Sequence, residues 1–225
     1  MRLRVLVYNV RGFRAGAERV AAAVTESGPD LAMVQECGSG RRLRGFARAM
    51  GMEAASSRLF PLLRQVRNAV LVRHPWRIIS SRLHAFDRSA RFYPRGAFIA
   101  VVGRAGYRIT AFSVHLGLTP GERNRHAREL ADFALGIDHP LLIGGDFNEG
   151  PDGKAASWIA DRFWDAWPHA GSGNGETFPS ADPTARIDYL FASEQFAIGR
   201  AVVVDTAETR AASDHLPLLI DLERD

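Results

Sequence analysis

The sequence is poor in cysteine and in long apolar runs. Its 225 residues include one cysteine, Cys37, which excludes an internal disulfide framework and fits a reducing compartment. No apolar run approaches the roughly 18 residues that a membrane-spanning helix needs. Met1–Arg4 leads directly into a strand-like segment, without an apolar signal segment. We therefore expect a soluble, cytoplasmic protein.

Lysine is almost absent as well. Lys154 is the only lysine among 29 lysine and arginine residues, and the formal net charge is +4. A basic balance favours nucleic acid or an anionic membrane as a partner, but so strong a preference for arginine is equally explained by coding bias. The arginines are scattered, apart from Arg41, Arg42 and Arg44, whose simplest interpretation is a solvated helix face. Charge alone does not identify the partner.

The remaining composition is that of an ordinary globular protein, with 46% hydrophobic and 24% charged residues. A chain of this length buries about 70% of the surface that its unfolded form exposes, so its core needs no disulfide or metal. No repeat, low-complexity tract or linker divides the sequence. We predict a single domain over residues 1–225 and a monomer.

Strand-like and helix-like segments are mixed along the chain. Periodic apolar positions and capping signals predict helices at 17–24, 41–50, 120–134 and 154–161. Apolar and β-branched runs predict strands at 5–9, 30–36, 67–73, 76–83, 96–103, 107–115, 139–145, 186–192, 198–205 and 216–222. Several strands follow one another without a helix between them, which favours antiparallel pairing in part of the sheet. Residues 168–185, rich in Gly, Ser and Pro, are predicted to form a long surface loop.

Polar residues with metal-binding or acid–base capacity stand at the ends of these strands. Strand ends that face one edge of a sheet converge in space, which is how α/β enzymes assemble a site from distant segments. The residues at these positions are Asn9, Glu36, His115, Asp146, Asp214 and His215, and a further carboxylate, Asp188, lies inside the predicted strand 186–192.

Each of these residues has a simpler interpretation when it is taken alone. Asn9 and Asp146 suit turns or caps, and Glu36 suits a solvated strand end. A single histidine is more often structural than catalytic. Asp188, however, lies between apolar neighbours in a strand and needs a partner. Because all of these positions recur at strand ends, coincidence is a poor explanation of the set.

The sequence resembles the endonuclease/exonuclease/phosphatase superfamily, which includes exonuclease III-like and pancreatic deoxyribonuclease-like nucleases, neutral sphingomyelinases and inositol polyphosphate 5-phosphatases. The motifs that carry the resemblance span nearly the whole chain: Tyr8-Asn9, Val34-Gln35-Glu36, Ser113-Val114-His115-Leu116, Gly145-Asp146-Phe147-Asn148, Arg186-Ile187-Asp188-Tyr189 and Ser213-Asp214-His215. The resemblance implies an α/β fold, a four-layer sandwich of two mixed β-sheets packed face to face with helices outside.

The resemblance also implies a divalent metal site. Corresponding family positions make Glu36, Asp214 and the Asn9 amide oxygen the expected metal ligands. Hard oxygen ligands of this kind suit Mg²⁺, with Mn²⁺ as an alternative, and the cation would stabilise charge that develops on a phosphoryl oxygen.

The remaining matched residues are expected to be catalytic. By the resemblance, Asp146 and Asn148 orient and activate a water molecule, and His115 contacts the phosphate or protonates the leaving group. His215 would contact the scissile phosphate with Asp188 as its orienting partner. We predict a direct hydrogen bond between Asp188 and a His215 ring nitrogen and a raised His215 pKa, because a nearby carboxylate favours the imidazolium. The expected reaction is in-line attack of water on phosphorus.

The substrate is the least determined part of the prediction. Phe178 either stacks on a base or packs against the core, and Asn68 is either a substrate contact or a strand-end polar residue. A nuclease is the first hypothesis, and the second is a phosphatase or phospholipase C-type hydrolase of a small or lipid phosphate ester. A phosphate-recognising module without turnover is the third. Arginines beside the site would favour the first hypothesis, and an apolar rim the second.

Overall fold

The computed structural model describes residues 1–57, 65–87 and 94–224, and these residues contain two six-stranded sheets. The first sheet consists of β1 (Arg2–Asn9), β2 (Leu31–Gln35), β3 (Met52–Ser56), β4 (Ala69–Arg73), β11 (Ala197–Val203) and β12 (Leu218–Glu223). The second consists of β5 (Arg77–Ala85), β6 (Gly96–Arg104), β7 (Tyr107–His115), β8 (Leu141–Asp146), β9 (Trp164–Asp165) and β10 (Asp188–Ala192).

Both sheets are mixed, as predicted. The strand order is β11-β12-β1-β2-β4-β3 in the first sheet and β5-β6-β7-β8-β10-β9 in the second. The β1–β2 and β7–β8 pairs are parallel, and the other pairs are antiparallel. A helix connects the strands of each parallel pair, because parallel neighbours need a long crossover.

The main core lies between the two sheets. Side chains alternate along β1, so that Val5 and Val7 face the opposite sheet while Leu6 and Tyr8 face the covering helices. All four side chains are fully buried. Burial on both faces explains why β1 is a continuous apolar run rather than an alternating one.

Helices cover the outer faces of both sheets and complete the predicted four-layer α/β sandwich. The first sheet is covered by α1 (Ala17–Thr25), α2 (Gly40–Met50) and α6 (Ala207–Ala212), and the second by α3 (Pro120–Leu135) and α4 (Lys154–Ala160). Helix α5 (Ala166–Ala170) packs against β10 and β11. The predicted capping box of α3 is present, with Thr119 and Glu122 bonded reciprocally. None of the helices in the described ranges is long and apolar enough to cross a membrane.

The segment 168–185 is largely a surface loop, as predicted, but two parts of it differ from the prediction. Its first residues belong to α5, and its centre is tied to the chain that leads into β12. The Leu216 N–H donates to the Thr177 carbonyl, and the Ser180 N–H donates to the Asp214 carbonyl, both at 2.7 Å. Thr177 and Ser180 are buried as a result. The composition, rich in Gly, Ser and Pro, predicts the loop but does not show these long-range backbone partners, which bury two of its residues.

Candidate active site

The candidate site lies where strand ends of the two sheets meet. Strand β1 ends at Asn9, and the parallel strands β7 and β8 end at His115 and Asp146, which are paired in register. The antiparallel strand β10 begins at Asp188, opposite Asp146. The segment containing His215 leads into β12, beside the end of β1. The fold therefore brings together residues that are up to 206 positions apart in the sequence.

Two glycines allow the backbones to approach beneath this site. A Cβ on Gly144 would lie 2.6 Å from the Met33 sulfur and 2.8 Å from a Val7 methyl group, both of the opposite sheet. A Cβ on Gly145 would lie 1.9 Å from the Val114 carbonyl oxygen. The Gly-Gly sequence before Asp146 is thus required by the close packing that holds this carboxylate in place.

Asp146 is the centre of the buried hydrogen-bond network. Its Oδ1 accepts from the Asn148 backbone N–H at 2.8 Å, and its Oδ2 accepts from the Asn9 side-chain amide at 2.9 Å. The same Oδ2 lies 3.3 Å from His115 Nε2 and 3.7 Å from His215 Nε2. One carboxylate therefore connects residues from four separate segments.

Burial raises the pKa of Asp146 to about 6, and the negative charge of Asp188 adds to the rise. His215 and the hydrogen bonds from Asn9 and Asn148 oppose it. A carboxyl group with a pKa in this range is suited to proton exchange near neutral pH.

The predicted hydrogen bond between Asp188 and His215 is confirmed. His215 Nδ1 lies 2.8 Å from Asp188 Oδ2, and the Thr177 hydroxyl donates to the same oxygen at 2.6 Å. Arg186, which is close to Asp188 in the sequence, does not compete for it and forms an ion pair with Asp165 at 2.8 Å. Because Nδ1 faces Asp188, the Nε2 of His215 is directed toward Asp146.

The pKa of His215 is raised, as predicted. Burial by itself lowers this pKa, but the charge and hydrogen bond of Asp188, together with the charges of Asp146 and Asp214, raise it to about 10. Asp188 thus favours the imidazolium form of its partner.

His115 has a different partner from the one that holds His215. Its Nδ1 lies 2.9 Å from Arg95 Nη1. Because a guanidinium only donates hydrogen bonds, Nδ1 must accept, and the single ring proton must lie on Nε2. Burial lowers the pKa of His115 well below its ordinary value, and the charges of Arg95 and His215 lower it further. The site therefore favours the protonated form of His215 and the neutral form of His115.

Asn9 bridges the buried network and Glu36. Its amide nitrogen lies 2.9 Å from Asp146 and 3.5 Å from Glu36 Oε1, while its amide oxygen accepts from the Arg11 backbone N–H at 3.1 Å. Glu36 itself is half-buried and has a φ of 52°. A left-handed conformation is uncommon for a glutamate and is found at functional sites that the surrounding structure holds in place.

Asp214 forms an ion pair with an arginine that the motifs do not contain. Arg11 Nε lies 3.0 Å from Asp214 Oδ2, and the two side chains are 47% and 32% exposed. Asn9 links the two segments, because the Ser213 hydroxyl donates to the Asn9 backbone carbonyl at 2.7 Å. Glu36 and Asp214 are thus each connected to Asn9, Glu36 through the Asn9 side chain and Asp214 through its neighbour Ser213, in the more open part of the site.

The other sequence candidates take separate positions. Asn148 has a φ of 53° and donates its side-chain amide to the Leu116 carbonyl at 3.1 Å. Phe178 is half-buried, with its ring centroid 4.9 Å from that of His215. Asn68 is buried, and its amide nitrogen donates to the Gly96 and Ser113 carbonyls. Its structural interpretation therefore has direct support, because both amide hydrogens are engaged by the backbone.

Sequence reasoning missed three residues that contact the site: Arg11, Arg95 and Thr177. Arg11 lies two residues after Asn9 and before Gly12, so a tight loop at this point was a usable signal. Arg95 and Thr177 lie in segments without any periodic pattern. Arg95 precedes Gly96, which pairs with His115 across β6 and β7, and Thr177 is 11 positions from Asp188, so only the orientation of these side chains could not be read from the sequence.

Metal-binding capacity is present at two places in the site. Ligand atoms of Asp146, Asp188 and His215 all lie within 4.8 Å of one another and are buried. Glu36 and Asp214 offer carboxylates that are more accessible. In the buried group, Asp188 Oδ2 and His215 Nδ1 are engaged in hydrogen bonds, whereas Asp188 Oδ1 is buried without a hydrogen-bond partner in the described ranges. An entering cation could reach the open carboxylates directly.

Comparison with known proteins identifies relatives of this fold. The family model described as Endonuclease/Exonuclease/phosphatase family matches residues 6–215. No curated protein matches the chain in sequence.

Solved structures of similar fold cover almost the whole chain. An endonuclease/exonuclease/phosphatase from Bacteroides vulgatus is 17% identical, with complete coverage of both chains and a TM-score of 0.86. A mannosyl-6-phosphatase from Bacteroides thetaiotaomicron is 18% identical over 98% of this chain and 99% of its own, with a TM-score of 0.83. TDP2 from D. rerio, complexed with a single strand DNA product, is 16% identical over 99% of both chains, with a TM-score of 0.80.

Proposed function

Because the chain belongs to the endonuclease/exonuclease/phosphatase family, whose members are phosphoesterases, we propose that it is a divalent-metal-dependent phosphodiesterase that hydrolyses nucleic acid. The observation that carries the proposal is the network around Asp146, in which a carboxylate, two histidines and two asparagines meet where strand ends of the two sheets converge. No member of the matched set is replaced by a residue without that chemistry, which argues against a binding module without turnover.

Glu36 and Asp214 are the proposed metal ligands, with Asn9 between them. They fit a hard cation such as Mg²⁺ or Mn²⁺ because they are oxygen donors that solvent can reach. Their present partners, the Arg11 guanidinium and the Asn9 amide nitrogen, are positive or hydrogen-bond-donating groups that a cation can replace. When bound there, the cation would supply Lewis-acid stabilisation of a phosphoryl oxygen.

Asp146 is the proposed acceptor of the proton of the attacking water. Asn148 assists in two ways: its backbone N–H orients the Asp146 carboxylate, and its side-chain oxygen is not engaged by the 3.1 Å bond that its nitrogen makes to Leu116. Positioning of this kind supplies a large part of the rate in phosphoryl transfer.

The two histidines are proposed to donate hydrogen bonds to the phosphate. Asp188 and Thr177 hold His215 so that its Nε2 faces the interior of the site. Arg95 keeps His115 neutral with its proton on Nε2. We therefore assign His115 to phosphate contact rather than to protonation of the leaving group, because a neutral imidazole is a poor acid.

Nucleic acid is favoured as the substrate by the charge around the site. The loops and helices next to Asn9, Glu36 and Asp214 carry five arginines: Arg11, Arg14, Arg42, Arg67 and Arg210. Such a surface suits the repeated phosphates of a strand. Phe178 beside His215 is proposed to stack on a base. The D. rerio TDP2 structure, which holds a single strand DNA product, is consistent with this choice.

A phosphatase of a small phosphate ester is the second candidate. It is supported by the similar fold of the mannosyl-6-phosphatase and by the apolar Leu118, which is 52% exposed. Leu118 alone makes a small apolar rim in comparison with five arginines, so a lipid substrate has the weaker support.

An activity panel tests the proposal. Single-stranded DNA, single-stranded RNA, duplex DNA, mannose 6-phosphate, sphingomyelin and bis-p-nitrophenyl phosphate are each incubated with Mg²⁺, Mn²⁺ or EDTA. We expect cleavage of a nucleic acid that EDTA abolishes, and no cleavage by Asp146→Asn. Glu223→Gln is the matched control, because Glu223 forms an exposed ion pair with Arg2 and makes no contact with the buried network in the described part of the chain. Hydrolysis of a monoester only would support the second candidate.

We further propose that the protein acts as a one-domain monomer over residues 1–225 and in the cytoplasm. Gel filtration with light scattering tests the first point, and fractionation of the source cells tests the second.

A further inference from the structure

A groove of about 300 Å³ adjoins Asp214 on its solvent side. Residues 179–181 and 211–214 form its walls, and Arg11, Arg14 and Arg210 line it with guanidinium groups. The volume lies at the lower end of the range for small-ligand sites, about 300–1,000 Å³. The groove is outside the network that surrounds Asp146.

The three arginines of the groove differ in how they are engaged. Arg210 is held by Asp205 in a bidentate ion pair and also donates to the Ala181 carbonyl. Arg11 is paired with Asp214. Arg14 is exposed and makes no hydrogen bond or ion pair with any residue in the described part of the chain. Only one guanidinium of the groove is therefore free while Arg11 stays on Asp214.

The conformation of Arg11 is set by its backbone. Its φ is 44°, and the following Gly12 and Phe13 also have positive φ values of 65° and 54°. The loop is fixed by the hydrogen bonds from the Gly12 N–H to the Glu36 carbonyl at 2.7 Å and from the Arg11 N–H to Asn9 Oδ1. A rare backbone conformation held in this way directs a long, half-exposed side chain to the border between Asp214 and the groove.

We propose that this groove is an anion subsite for the phosphate next to the scissile one in a nucleic-acid strand, and that Arg11 couples it to the metal site. In the absence of a cation, Arg11 neutralises Asp214. A divalent cation on Asp214 releases the guanidinium, which then joins Arg14 in binding the neighbouring phosphate. The inference rests on the proposed metal-dependent function and adds to it a reason for preferring a polymer with successive phosphates.

The coupling follows from simple electrostatics. Arg11 and a divalent cation compete for one carboxylate, so each weakens the binding of the other. The ion pair is exposed, and such pairs contribute little stability, so the exchange has a small cost. An arginine that loses its carboxylate partner is a ready ligand for phosphate, which it can bind through two parallel hydrogen bonds.

The first experiment measures Mg²⁺ binding alone by isothermal titration calorimetry. Arg11→Gln is expected to bind Mg²⁺ about two- to fivefold more tightly than the natural sequence, the range that corresponds to loss of an exposed ion pair. Arg14→Gln is the matched control, because it removes the same charge from the same loop without a contact to Asp214, and its Mg²⁺ affinity should stay unchanged. Thermal denaturation of both variants checks folding, and Arg11→Lys serves as a second variant.

The second experiment measures binding of a fluorescent thymidine tetramer, in an Asp146→Asn background that prevents cleavage. With Mg²⁺ present, Arg11→Gln and Arg14→Gln should each lower the slope of log affinity against log salt by about 0.7. With EDTA, only Arg14→Gln should have this effect. A tetramer with neutral methylphosphonate groups at its flanking linkages should bind with equal affinity to the Asp146→Asn protein and to its Arg11→Gln and Arg14→Gln derivatives. A sugar bisphosphate should not displace the charged tetramer.

The outcomes separate this inference from the function on which it rests. If the natural sequence binds Mg²⁺ and cleaves nucleic acid but Arg11→Gln leaves Mg²⁺ affinity and the salt slope unchanged, only the coupled subsite is wrong. If the natural sequence binds no Mg²⁺, both the metal-dependent function and the subsite are wrong. Displacement by the sugar bisphosphate would overturn the assignment to a nucleic-acid strand.

Discussion

The two parts of the site differ sharply in exposure. Asp146 and Asp188, at the strand ends of the second sheet, have side chains that are 2% and 0% exposed and are hydrogen-bonded to other site residues. Glu36 and Asp214, which follow β2 and precede β12 of the first sheet, are reached by solvent, and the Asp214 side chain is 32% exposed. We call Asp146, Asp188, His115 and His215 the closed half, and Glu36 and Asp214 the open half.

The difference indicates two distinct tasks. The closed half keeps protons and hydrogen-bond donors in fixed positions, which requires partners such as Thr177 and Arg95 and exclusion of water. The open half keeps its carboxylates accessible to solvent. Their partners, the Arg11 guanidinium for Asp214 and the Asn9 amide for Glu36, are groups that a cation can displace. A cation that must enter from water suits the open half, whereas a proton-transfer network suits the closed half.

The largest effect is expected from Asp188→Asn, which keeps the shape of the closed half and removes one charge. Loss of the carboxylate that holds His215 should lower kcat by about 10²–10⁴-fold, the usual contribution of positioned acid–base groups. Mg²⁺ affinity should change by less than threefold, since the variant leaves the open half intact. Steady-state kinetics and calorimetry together check this. An equal loss of kcat and Mg²⁺ affinity would instead assign the metal to the closed half.

Glu36→Gln alters the open half, where we expect the main loss to be in Mg²⁺ affinity. We expect Mg²⁺ affinity to fall by at least about 10–100-fold, which is the usual loss when a residue that hydrogen-bonds to a metal ligand is removed. The free energy of unfolding without metal should not decrease, because Glu36 is half-buried and its removal relieves repulsion among neighbouring carboxylates. Calorimetry and urea denaturation measure both quantities. A strongly destabilised Glu36→Gln with normal Mg²⁺ affinity would show that Glu36 has a structural role.

Thr177→Val tests how much the closed half depends on complete hydrogen bonding. The substitution keeps the volume but leaves a buried carboxylate oxygen with one donor fewer, which should cost about 1–3 kcal/mol in the free energy of unfolding. Urea denaturation measures this cost. Arg2→Gln is the control, because it breaks the exposed ion pair with Glu223 and should cost less than about 1 kcal/mol. Equal costs for the two variants would contradict the contrast between buried and exposed pairs.

The smallest effect is expected from Arg95→Gln, and it appears in the pH dependence. In the natural sequence, burial lowers the pKa of His115 well below its ordinary value and the charge of Arg95 lowers it further, so the folded protein binds this proton less readily than the unfolded chain does. The unfolded chain does bind it below about pH 6.5, so stability falls as the pH drops through that value. Arg95→Gln should raise the folded-state pKa of His115 and make this fall smaller.

Nitrogen-15 spectra of labelled histidine follow the same substitution directly. In the natural sequence, these spectra should show His115 in the neutral form, with its proton on Nε2, as the pH is lowered through 6.5. Arg95→Gln should introduce a titration. A His115 that already titrates near pH 6.5 in the natural sequence, or that carries its proton on Nδ1, would contradict the contrast between the two histidines.

The sequence predicts the strand-end residues well, because a physical rule connects them. Parallel strands joined by helices bring their carboxyl ends to one edge, so Asn9, His115 and Asp146 were expected together, and Asp188 was expected to need a partner. The short elements escaped prediction. Strand β3 is built of Met, Glu, Ala and Ser residues with weak strand preference, and α6 spans only six residues.

The partners of the site residues could not be predicted for a different reason. The Arg11–Asp214 contact joins opposite ends of the chain, and no periodicity or motif links these segments, because their proximity depends on how the fold packs. The Arg95–His115 and Thr177–Asp188 contacts are more local: Gly96 pairs with His115 across β6 and β7, and Thr177 is 11 positions from Asp188. Their proximity could be anticipated, but not the side-chain orientations that make the hydrogen bonds. The resemblance identified which residues meet at the site, and only the packing reveals which arginine or hydroxyl group controls each of them.

The position of the cation tests the central claim most directly. Crystals soaked in Mn²⁺ and measured at the manganese absorption edge would give an anomalous peak at the metal site. We predict a peak between Glu36 and Asp214, with the Asp188–His215 hydrogen bond intact and the Arg11 side chain away from Asp214. A peak within bonding distance of His215 or Asp188 would contradict the division of the site into an open metal-binding half and a closed proton-transfer half.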